Sequence, residues 1–168
     1  VQQGRINKTK WYFLERESFL NQLRIEIKRH ILRCKKNGFK PAIRLNGTSD
    51  IDWNIHGLYE EFKQVKFYDY SKIYKRALKF VKKEYPKNYH LTYSLNEDNK
   101  AQAKYILKQG GNISAVFRTK KLPKRFLNYK VFNGDNSDLR FNDPKNVIVG
   151  LYAKGRGLKD NTGFVQDV

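Results

Sequence analysis

Apolar residues recur at helical spacing through the first forty positions and at strand-like spacing afterwards. Phe13, Leu20, Leu23, Ile27, Ile31 and Cys34 fall three, four or seven residues apart, which places them on one stripe of a helix. Glu15 and Glu17 come early and Arg29, Arg33, Lys35 and Lys36 late, the order a helix dipole favours. Ser18 can restart the helix locally, and Asn37-Gly38 is a stop signal. Beyond it, runs suited to strands cover 42–45, 65–70, 90–95, 113–117, 129–132 and 147–152. Helical segments lie between the first four: 55–62 with Leu58 and Phe62, 74–85 with Leu78, Val81 and Tyr85, and 100–108 with Ala103, Ile106 and Leu107.

Strand alternating with helix predicts an α/β fold of βα units with a mainly parallel sheet. The last connections are too short for full helices, so irregular loops or small helices are expected there. A full eight-unit barrel takes about 250 residues. The preferred closure is therefore an incomplete or compact (β/α) barrel, and the alternative is an open doubly wound sheet. The chain reads as a single domain, a helical segment 1–38 followed by a βα core 39–168. It contains no methionine and begins at Val1, so further residues upstream are expected.

Charge changes the picture from fold to partner. The chain has 35 Lys and Arg against 16 Asp and Glu, a formal net charge of +19, spread from Arg5 to Lys159 among 14% aromatic residues. Such a surface attracts polyanions, of which nucleic acid, DNA or RNA, is the commonest. One cysteine, Cys34, excludes an internal disulfide framework and a multi-cysteine metal site in this stretch. It lies on the apolar stripe and reads as a packed thiol. No run approaches the ~20 apolar residues of a membrane span, and a cytoplasmic location is expected. His30, His56 and His90 share no metal spacing and belong to no nucleophile triad; His30 reads as solvated.

In either architecture ligands meet the carboxyl ends of the strands. That rule selects Arg44 near the end of the first strand and Asn46 after it, Asp69 within the second and Lys72 after it, and Arg118 and Lys120 after the fourth. Arg44 could pair with Asp69 on the neighbouring strand. Thr92, Ser94 and Asn96 alternate with Tyr93 and Leu95, which predicts one polar face along the third strand. The final third adds Arg140, Lys154, Arg156 and Lys159 as phosphate contacts, with 150–157 as a glycine-rich basic loop. Asp135, Asp138 and Asp143 could hold a divalent metal through oxygen ligands. Asp50, Asp69 and Asp138 are the candidate catalytic carboxylates.

Four segments carry a resemblance: Val1 to Lys10 (VQQGRINKTK), Ile43 to Asp52 (IRLNGTSDID), Phe67 to Lys72 (FYDYSK), and Asn133 to Gly155 with Asp138-Leu139-Arg140-Phe141. Together they resemble an uncharacterised family of phage and prophage proteins, the gene product 88-like proteins. The resemblance implies a mobile-element origin and a host-cytoplasm location. It also implies a cysteine-rich segment in relatives, so any zinc or iron–sulfur site would lie upstream of Val1.

Three functions are expected in this order. The first is nucleic-acid binding through the basic surface at the strand carboxyl ends. The second is a metal-dependent enzyme acting on nucleic acid or nucleotides. The third is a protein that inhibits a host defence complex.

Overall fold

The computed structural model describes residues 2–167. The chain divides into two compact units, one ending at Ala42 and the other beginning at Ile43.

The first unit is helical. Helix α1 (Gln2–Leu14) and helix α2 (Arg16–Lys36) meet at Glu15, whose φ of −134° leaves the helical region. The break falls before Ser18 and is packed by Phe19, edge-on to Trp11 at 5.3 Å and to Tyr12 at 5.5 Å. It also takes Phe13 off the predicted stripe: Phe13 is exposed, while Ile27 and Cys34 are buried and Leu20, Leu23 and Ile31 half-buried. The stop at Asn37-Gly38 forms as expected. Gly38 adopts φ +71°, its N–H bonds to Lys35 O and the Phe39 N–H to Cys34 O at 2.9 Å, which satisfies the last carbonyls. His30 is half-buried, not solvated, with Nε2 3.4 Å from Cys34 Sγ one turn away.

The second unit is an open α/β sheet, whose first strand begins one residue earlier, at Ala42. Its strands are β1 (Ala42–Ile43), β2 (Lys66–Ser71), β3 (Tyr89–Ser94), β4 (Ile113–Phe117), β5 (Arg125–Phe126), β6 (Tyr129–Asn133), β7 (Ile148–Tyr152) and β8 (Val165–Gln166). The order is β1-β2-β3-β4-β7-β6-β5, with β8 on β4. The ladders that join β2, β3, β4, β7 and β6 are parallel, and β5 runs antiparallel to β6 as a hairpin. The sheet therefore has two free edges and does not close, which corrects the barrel in favour of the open alternative. The physical reason is the chain after β4. It forms a hairpin and then a crossing segment in place of another βα unit, so no strand among the described residues closes the sheet onto β1.

Helices α3 (Leu58–Glu61), α4 (Tyr74–Val81) and α5 (Lys100–Lys108) follow β1, β2 and β3. Advancing in one direction with right-handed crossovers puts α4 and α5 on one face. The connection from β6 to β7 runs the other way and covers the opposite face. Its 3-10 turn Arg140–Asn142 lies against β2 and β3. Alternation divides β2 accordingly. Phe67, Asp69 and Ser71 face the helices, where Phe67 meets Tyr59 at 4.9 Å. Tyr68 and Tyr70 face the crossing segment, where Tyr68 meets Phe141 at 5.5 Å.

Candidate functional site

Strands β3 and β4 pair only through Tyr93–Ile113 and Ser94–Ser114. Past Ser94, β4 takes β8 as its partner instead, Val116 opposite Val165 and Phe117 opposite Gln166. The sheet splays at this point, and a cavity of about 480 Å³ opens at the strand carboxyl ends. Ser94 and Ser114 form its floor, hydroxyl to hydroxyl at 3.2 Å, and Phe164 and Val165 of the β8 segment form one wall. Of the polar face expected on β3, Ser94 alone lines this cleft, and Thr92 is fully buried. A second hollow of about 540 Å³ adjoins it over the 46–50 loop, sharing Arg44, Tyr70, Lys72 and Ser94.

Cations around this cleft lie on rings. Arg44 stands 5.8 Å from the Tyr70 ring, Lys72 4.7 Å from Phe164 and Lys120 5.8 Å from Tyr152, within range of cation–π attraction. Burial pushes the Tyr70 hydroxyl up to about 12, so it stays protonated. Arg44 is 3.6 Å from the exposed Asp138, and Lys154 2.7 Å from Asp135. Asp135 also accepts from the Tyr152 N–H at 2.8 Å. Burial would raise its carboxyl, but Lys154 and the Tyr152 N–H hold it below the usual range. Lys72, Lys120, Arg156 and Lys159 are exposed and form no ion pair with a carboxylate among the described residues.

Other predicted positions serve the scaffold. Asp69 does not pair with Arg44, because the two lie on opposite faces of the sheet. Its partners are Asn46, whose side chain and backbone N–H bond to it at 2.9 and 3.2 Å, and Arg76 at 3.6 Å. Burial pushes the Asp69 carboxyl up to about 6 against the pull of Arg76 and Asn46. Asn46 Oδ1 accepts from Ser49, from the Ile51 N–H and from the Trp53 indole, which folds the whole 46–53 loop around one buried side chain. Asp50 accepts from Ser71 Oγ and the Lys72 N–H at 2.9 Å each and pairs with Arg76. Arg118 grips the β8 segment through Asp167, Leu158 O and Asp160 O. Arg140 is fully buried beneath the crossing segment, bonding Gly134 O at 3.0 Å and lying 3.2 Å from Asp143.

Asp135, Asp138 and Asp143 do not converge, and no cluster of three metal-ligating side chains occurs among the described residues. In the 150–157 stretch, Gly150 answers a packing need: a Cβ there would stand 2.7 Å from Val131. Gly157 borders the cleft. Ser114, Phe164 and Tyr152 escaped the sequence reading. Ser114 carried a signal, a polar residue alternating with Ile113 and Ala115; the two-residue strand behind Phe164 carried none.

No helix is long and apolar enough to cross a membrane among the described residues. Comparisons with curated proteins and with solved structures find no match. A family model described as Gene product 88 matches residues 1–168, the full span over which the sequence motifs are distributed, and the chain belongs to that family.

Proposed function

We propose that this phage-family protein binds single-stranded nucleic acid, DNA or RNA, along the strand carboxyl ends, in the host cytoplasm, with one nucleotide seated in the cleft. The observation that supports this most is the set of cations held against aromatic rings around a hydroxyl-floored cavity. Lys72, Lys120, Arg156 and Lys159 neutralise backbone phosphates, and Arg44 and Lys154 join them by exchanging an exposed carboxylate for a phosphate. That exchange is cheap, because exposed ion pairs contribute only about 0–1 kcal/mol. Tyr152 and Phe164 offer ring faces to unpaired bases, which every base can use.

Fluorescence anisotropy with labelled single-stranded DNA and RNA over a salt series tests the reading. Micromolar or tighter binding is expected at low salt, with log affinity falling against log salt by about 0.7 per phosphate contacted. Absence of binding at low salt overturns it.

A further inference from the structure

A second cavity, of about 490 Å³, lies at the opposite end of the sheet, among the strand amino ends. It is within the size range of small-molecule sites. Phe80, Tyr85, Tyr89 and Phe141 line it, and the His90 ring meets Phe80 edge-on at 5.3 Å. Lys83, Lys87 and Lys145 surround the mouth; all three are exposed and form no ion pair among the described residues. Lys83 holds φ +61° as the left-handed stop of α4, with the Glu84 N–H bonded to Lys79 O at 2.9 Å.

His90 Nε2, buried in this wall, has no hydrogen-bond partner, and the buried Asp143 Oδ2 is paired with Arg140 Nη1 at 3.2 Å. Burial, with Lys66 and Arg140 nearby, lowers His90 to about 4, and the ring is neutral at physiological pH. Asp143 keeps Arg140 at 3.2 Å as counter-ion. The wall therefore combines aromatic surfaces and a neutral imidazole under a cationic mouth.

We propose that this cavity binds a nucleoside monophosphate, with the base among the aromatic side chains and the phosphate held by Lys83, Lys87 and Lys145. A base supplies the flat apolar surface, and its phosphate supplies the anion. The site stands apart from the carboxyl-end cleft, and neither reading depends on the other.

Calorimetric titration of the whole chain with AMP tests it, with adenosine and inorganic phosphate as separate probes. One AMP per chain is expected, each fragment binding about tenfold or more weakly. The surface variant Lys87→Glu/Lys145→Glu should weaken AMP by about tenfold or more while remaining folded, and Phe141→Ala should weaken adenosine as well as AMP. Lys72→Ala/Lys154→Ala, in the carboxyl-end cleft, should leave AMP binding unchanged. No saturable AMP binding, phosphate binding equal to AMP, or loss in the cleft variant with retention in the lysine variant each overturns the proposal.

Discussion

Asp69 and His90 sit on neighbouring strands with opposite proton preferences. Burial raises Asp69 from 3.8 to about 6, so the folded chain binds this proton more tightly than the unfolded one. Its favourable contribution is complete below pH 3.8 and lost as pH rises through 6. His90 falls from 6.5 to about 4, so its contribution is complete above pH 6.5 and lost as pH falls through 4. Urea unfolding across this window separates them. The advantage of wild type over His90→Gln should shrink as pH drops from 6.5 to 4, and Asp69→Asn should gain on wild type as pH rises from 4 to 6. Packing sets a second test at this scale. A Cβ on Gly134 would stand 2.7 Å from the buried Arg140 guanidinium and against Val149, so Gly134→Ala should cost about 1–3 kcal/mol in the same assay. Chemical type was legible here and partnership was not. Asp69 was visible as a carboxylate within a strand, but its partner Arg76 lies on a helix, and only the facing of β2 decides between Arg76 and Arg44.

The three internal family motifs become one structure at the scale of elements. The loop from Ile43 to Asp52 closes on Asp69 through Asn46 and on Arg76 through Asp50, on the helix side of β2. The Asp138–Phe141 segment covers the other side, with Arg140 buried and Phe141 on Tyr68. The motif from Phe67 to Lys72 is β2 itself, gripped from both faces. Elements with a long repeating pattern were readable: α5 spans 100–108 as its spacing predicts, and β4 spans 113–117. Helix α4 stops at Val81, short of the predicted Tyr85, because Lys83 turns left-handed and Tyr85 bonds Asp52 instead. Strands β5 and β8 have two residues each, too few for alternation to register. β8 is held by Arg118, so Arg118→Ala should raise amide exchange across 158–166 while leaving exchange in β2 and β3 unchanged, as measured by hydrogen–deuterium exchange.

Over the whole molecule, the sheet opens where the regular βα pitch ends. The opening at the carboxyl ends brings Arg44, Lys72 and Lys154 to one cleft from three separate stretches of chain. Charge was readable from composition; its placement required the splay between β3 and β4. Asp138 restrains Arg44, so Asp138→Asn should tighten nucleic-acid binding by roughly two- to fivefold in anisotropy titrations. Net charge alone would make every cationic region equal, including the basic helix α2 and the lysines at the strand amino ends. The direct discriminator is the salt dependence of single-stranded oligonucleotide binding in three variants. These are Lys72→Ala/Arg156→Ala at the cleft, Lys28→Ala/Arg29→Ala on α2, and Lys87→Ala/Lys145→Ala at the amino ends. The account requires the salt slope to fall by about 0.7 per residue removed in the first and to hold in the other two; equal losses in all three would contradict it.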